Sequence, residues 1–209
     1  NIPFYGVAVA HNIGGNKTVF RISQGILNGS VQKKMEMLDN SNIRIYKDFV
    51  LEVHSSAEKV VRVRKNSKPA FPNFLLNDPD FILKFYNLER LGVASTNVAG
   101  RQSNFFKLKS KDGLRWNVNL WLCSQTGLLL KIEYTDSTSK VLFTEYFDEV
   151  SVGPGAVPLL DFSTDDSKQW RKIFLSSFTE EKSFGIYDDF FNKGYQLVNC
   201  VDTKLNNLN

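Results

Sequence analysis

Histidine, cysteine and methionine occur only twice each in this chain of 209 residues, and no low-complexity or solenoid repeat breaks it up. Cys123 and Cys200 stand far apart without Cys-x-x-Cys spacing, which argues against zinc or dithiol chemistry. Two buried free thiols are expected; a disulfide between them fits an oxidising compartment but is not implied. His11, beside a turn, and His54, at a strand end, belong to no matched ligand set, and both are expected as surface or edge residues. There is no Gly-x-Ser-x-Gly elbow, and two histidines leave a nucleophilic triad few ways to assemble. Glu180-Glu181 and Asp188-Asp189 are adjacent carboxylates, which an extended backbone turns to opposite faces, so neither suits paired acid–base work. Nothing here supports an enzyme, a metal or a cofactor. Gly14-Gly15-Asn16 supplies turn chemistry, because no Lys-Ser or Lys-Thr follows the glycines at the phosphate-loop offset. No run approaches the roughly 20 apolar residues of a membrane span. The chain starts at Asn1-Ile2-Pro3 without Met or a signal peptide, so a leader was removed or the chain trimmed.

Aromatics are plentiful: 17 Phe, 7 Tyr and 3 Trp. They favour strands and line apolar concavities. The net charge of +4 is spread along the chain, too dilute for a nucleic-acid partner.

Val98–Val152 is the most regular stretch. Strands are expected at Phe105–Lys109, Leu114–Leu122, Leu128–Tyr134 and Val141–Val152, turned by Lys111-Asp112-Gly113, Thr126-Gly127 and Asp136–Lys140. Alternation puts Trp116, Val118, Leu120 and Leu122 on one face and Arg115, Asn117 and Asn119 on the other; Leu130, Ile132 and Tyr134 oppose Lys131 and Glu133. Upstream, Phe4–Ala10, Thr18–Ser23, Val31–Leu38, Ile43–Lys47, Phe49–His54, Lys59–Arg64 and Leu88–Ala94 follow the same habit without intervening long helices, which argues for an antiparallel sheet. Asp78-Pro79 opens a short helix whose face carries Phe81, Ile82 and Phe85. Gly153-Pro154-Gly155 and Pro158 mark a boundary. Trp170, Ile173, Phe174 and Ser177 then recur at helical spacing behind Asp165 and Asp166, so Ser167–Ser177 is expected as a helix.

The expected fold is β-rich α+β: a curved, antiparallel, unclosed β-barrel with a few helices on its concave side. Residues 1–152 form the β domain, 153–183 a linker with a short helix, and 184–209 the start of a second domain or a tail. The inner face should carry Phe20, Ile22, Met35, Leu51, Trp116, Val118, Leu120, Leu130 and Ile132, covered by Phe81 and Phe85, and an incompletely filled face of this kind suits an acyl chain. Arg62, Arg64, Lys65 and Lys68 form the densest basic patch, a rim for an anionic head group or a charged strand edge.

The motifs Tyr86-Asn87-Leu88, Val98-Ala99-Gly100-Arg101, Asp112-Gly113-Leu114-Arg115-Trp116, Leu120-Trp121-Leu122 and Thr126-Gly127-Leu128-Leu129-Leu130-Lys131 resemble, in order, those of the MucB/RseB family. Lys131 stands for the family's arginine, Leu129-Leu130 for its Leu-Pro, and the helix before its first strand has no counterpart here. Phe190–Tyr195 is similar only to the entry of the family's second domain. The resemblance implies a LolA/LolB-like fold in the periplasm. It further implies a regulator of envelope stress that binds the periplasmic domain of a transmembrane anti-sigma factor, RseA- or MucA-like, shields it from proteolysis, and senses a lipid or lipopolysaccharide ligand. The alternative it leaves open is a lipid or lipoprotein carrier of the LolA/LolB type.

Overall fold

The computed structural model describes residues 2–175, apart from 16, 40–41, 66, 68–70, 73–78, 95 and 164–166. Among the described residues, twelve strands form one sheet that does not close. In chain order they are β1 (Phe4–Asn12), β2 (Lys17–Leu27), β3 (Ser30–Met37), β4 (Ile43–Lys47), β5 (Val50–Ser55), β6 (Val60–Arg64), β7 (Tyr86–Val93), β8 (Ser103–Ser110), β9 (Asn117–Cys123), β10 (Leu129–Thr135), β11 (Val141–Val152) and β12 (Arg171–Leu175). One short helix, α1 (Pro79–Phe85), precedes β7, and a 3-10 stretch follows β11 at Gly153–Leu159. The order across the sheet is β12-β6-β5-β4-β3-β2-β1-β11-β10-β9-β8-β7. Every pairing is antiparallel except β12 with β6. Apart from the start of β9, the strand spans expected from alternation are recovered, because each hairpin is closed locally and its register is set by which face is dry.

The core lies on the concave face. Cross-strand partners share a face, so the register carries one apolar layer from Met35 and Ile22 through β1 to Phe147, Leu130 and their neighbours on β9 and β8. Phe4, Phe20, Phe71, Phe143 and Phe147 are all completely buried in it. Phe147 meets Phe4 edge-on at 5.7 Å and Phe71 at 5.1 Å. After Phe4, central β1 contributes only Gly6, Ala8 and Ala10 to this layer. A Cβ on Gly6 would sit 2.4 Å from the Glu149 carbonyl oxygen and 3.0 Å from Phe147 Cδ1, so β11 approaches as closely as it does only because that side chain is absent. Burying these rings contributes roughly 1.5–3 kcal/mol each relative to exposure.

Three local expectations are corrected. Leu114, Arg115 and Trp116 do not begin β9; Asp112 pairs with Arg115, whose guanidinium lies 4.0 Å from the centroid of the Phe85 ring. That contact draws the segment out of the strand and ties it to the end of α1. Residues 171–175 of the expected Ser167–Ser177 helix are strand β12, where Ile173 and Leu175 are half-buried and Phe174 is exposed. The apolar spacing fitted a helix, but the unpaired backbone edge of β6 offers a ladder of hydrogen bonds that local propensity cannot compete with. His54 is buried, not a surface or edge residue. Asp78, Asp165, Asp166 and everything expected beyond residue 175, Cys200 included, lie outside the described residues.

Candidate functional site: the concave floor and its two edges

Of the expected inner-face residues, Phe20, Ile22, Met35, Leu51, Val118, Leu120, Leu130 and Ile132 are buried. All but Leu51 belong to one continuous cluster. Trp116 is half-buried just ahead of β9, edge-on to Tyr134 at 6.2 Å. Phe85 is half-buried under Arg115, while the side chain of Phe81 lies outside the described set. These residues form a packed floor.

Two charged groups interrupt that floor. Phase alone puts them there: Glu145 falls between Phe143 and Phe147 on β11, and Lys33 shares the face of Met35 on β3. The alternation that placed Met35 inward places Lys33 inward too, a signal the sequence carried. Glu145 is completely buried, and neither carboxylate oxygen has a hydrogen-bond partner. Loss of solvent raises its pKa well above the usual carboxylate value, with the Lys33 charge opposing. Lys33 Nζ donates to the Phe71 carbonyl oxygen at 3.3 Å and lies 5.6 Å from the centre of the Tyr46 ring. Burial lowers its pKa to about 7, Glu145 again opposing. The floor therefore holds an acid that favours its neutral form and a base poised near neutrality.

The basic rim is partly assembled. Arg62 and Arg64 share a face, opposite Val53 and Leu51, at the β6 end of the floor. Arg62 is tied to Glu58 at 2.5 Å, Lys65 is exposed, and Lys68 lies outside the described residues. The rim is a same-face pair of arginines.

On the convex face the chain crosses from the 3-10 stretch to β12, and a set of polar contacts holds it down. Gly25 leaves room for the crossing: a Cβ there would lie 2.6 Å from Leu160 and 3.4 Å from Phe162. Lys34 Nζ donates to the Ser163 carbonyl oxygen at 3.3 Å and faces Asp161 at 3.8 Å and Glu36 at 2.9 Å. His54 sits between Ser167, whose Oγ lies 2.8 Å from Nδ1, and Glu52, 3.3 Å from Nε2. The His54 contact is the first cause of a Glu52 pKa below the carboxylate norm. A Ser–His–Glu order suggests a nucleophile relay, but Ser167 is itself buried, and the three contacts serve to pin the crossing segment. Sequence spacing had no means to find this set, since 113 residues separate Ser167 from His54.

Two clefts open on the surface, the second of them beside the Lys34 contacts. One, about 320 Å³, is lined by Arg101, Gln102, Cys123, Ser124 and neighbours; the other, about 230 Å³, by Tyr5, Arg21, Lys34, Glu36 and neighbours. Cys123 is a buried free thiol. Among the described residues no three His, Cys, Asp or Glu side chains gather as a metal set would require, and no helix is long and apolar enough to cross a membrane.

A family model described as the MucB/RseB N-terminal domain matches residues 3–170. No curated protein matches the chain. Among solved structures, MucB in complex with MucA(peri) superimposes with a TM-score of 0.59 at 20% identity, over 78% of this chain and 55% of that one. The MucA/MucB complex of Pseudomonas aeruginosa gives 0.61 at 18%, over 88% and 62%. An uncharacterized conserved protein from Thermus thermophilus gives 0.53 at 11%, over 83% and 90%. At these identities the likeness is one of fold, and the chain spans 55–62% of the length of those two MucB chains.

Proposed function

The chain belongs to the MucB/RseB N-terminal domain family, and from that premise we propose that it is a regulatory binding protein of the envelope stress response. Its partner is the periplasmic segment of a transmembrane anti-sigma factor, which it shields from proteolysis; its place of action is the periplasm. The observation that carries this reading is the family match across residues 3–170. Structures of MucB bound to MucA(peri) support the partner class by analogy. The described residues add a sheet with one packed face and open edges at β12 and β7, which suits recognition more than chemistry. Titration calorimetry of the whole chain with the periplasmic segment of its anti-sigma factor tests this. Micromolar or tighter binding is expected, and no heat at that concentration from a folded sample overturns it.

A second reading, a lipid or lipoprotein carrier, is favoured by one observation: the unpartnered carboxyl of Glu145 in the floor. A ligand hydroxyl or amide entering between the aromatic rows would satisfy it, with Arg62 and Arg64 facing an anionic head group. Mass spectrometry of material extracted from the purified protein tests this. Bound acyl lipid that disappears in Glu145→Leu supports the carrier, and lipid-free protein that takes up none on incubation with vesicles removes it.

A further inference from the structure

The sheet ends at β12 on one side and at β7 on the other, and among the described residues neither has a strand beyond it. β12 offers five residues of unpaired backbone edge and β7 eight. The amide of Lys111 donates to the Phe85 carbonyl oxygen, and this sets the phase of the β7–β8 ladder. Antiparallel pairing then turns the backbone groups of Asn87 and Glu89 toward β8 and those of Leu88 and Arg90 outward. The edge is apolar as well as unpaired. Leu88, Leu91 and Val93 are 52%, 53% and 59% exposed. Its surroundings are basic: Lys84–Arg115 contains seven Lys or Arg against Glu89 and Asp112, while the whole chain nets +4.

We propose that the open edge of β7 is the docking surface for the protein partner, an extended acidic and apolar segment that adds to the sheet as a thirteenth strand. This rests on the anti-sigma reading and names the surface for it. Strand addition uses the outward backbone groups for affinity and alternate side chains for choice of sequence. Leu88 continues the inner row through Leu108, Val118 and Tyr134, so an apolar side chain next to it would extend the floor. Arg90, two residues on and on the same face, would meet a carboxylate. Charge decides between occupants. A second copy would bring a like-charged edge and be repelled, while an acidic segment is drawn in. The bulge between Arg90 and Gly92 breaks the ladder, which discourages indiscriminate pairing.

The test uses the whole chain and the labelled periplasmic segment of the anti-sigma factor. Leu88→Pro removes an outward N–H without touching the β7–β8 ladder, a position where edge proline is tolerated. It should weaken binding at least tenfold with the thermal unfolding midpoint nearly unchanged. Arg90→Glu should weaken binding about tenfold at low salt and less at high salt. Should the proline variant fail to fold, hydrogen exchange on the wild type decides: the amides of Leu88 and Arg90 should become protected on binding. Binding without that protection, or undiminished in both variants, overturns the edge proposal and leaves the anti-sigma reading intact. Absence of wild-type binding overturns both. A wild-type chain that dimerises through β7 and excludes the segment also overturns it, in favour of a second copy.

Discussion

β6 and β7 stand near opposite ends of one sheet, and among the described residues β6 gains a further strand alongside while β7 does not. At β6 the chain returns across the convex face, and Val60, Val61 and Val63 are buried with β12 alongside. Beyond β7 no further strand lies among the described residues, and three aliphatic side chains there are more than half exposed. The capped edge depends on distant contacts: Lys34 with Asp161 and Ser163, His54 with Ser167, and Lys59 over the Trp170 ring at 5.0 Å. The open edge depends on one hairpin. A strand can thus be paired in cis, which moves the open edge one strand outward to β12, or left unpaired behind charge and a bulge.

Five changes would break or sharpen that contrast. Phe147→Ala removes the ring joining Phe4 and Phe71, the floor common to both halves. It should cost about 3–5 kcal/mol by urea unfolding and loosen the edges together; a loss confined to one half would show that the floor is not shared.

Glu145→Leu should stabilise the protein by roughly 1–4 kcal/mol at pH 8, because it replaces a buried unpartnered acid with an apolar side chain. The sign with pH follows from linkage. Glu145 has a raised folded pKa, so the native state holds the proton above the unfolded value, and wild-type stability falls as pH rises from about 4.5. The advantage of Glu145→Leu should therefore shrink toward pH 4.5. Lys33, lowered from 10.5 to about 7, acts in the opposite direction: it makes the native state gain stability as pH rises from 7 to 10.5. Unfolding of Lys33→Met should lose that upward limb; an unchanged profile would mean that its ammonium is solvated.

His54→Ala unpins the crossing segment and should cost about 1–2 kcal/mol. Hydrogen exchange should quicken at β12 and β6 and stay unchanged at β7, and an equal change at both edges would end the comparison. Leu88→Ala, at a half-exposed position, should move stability by less than about 0.5 kcal/mol. A larger loss would mean that the open edge is covered in the intact protein.

The alternation of short strands and the turn residues between them determined the antiparallel sheet, most strand limits and the identity of the floor, because a period of two with one dry face leaves a single register. The same period placed Lys33 and Glu145 inward, beside Met35 and between Phe143 and Phe147. Only the tertiary structure decided that these charges lack solvent and that Glu145 lacks a partner, since both follow from what packs above the floor. It also decided that residues 171–175 are strand, that His54 is buried, and that Arg115 leaves its strand for Phe85. Each depends on a contact with a segment distant in the chain or on a backbone edge left unpaired by another strand, and neither leaves a local trace in residue spacing.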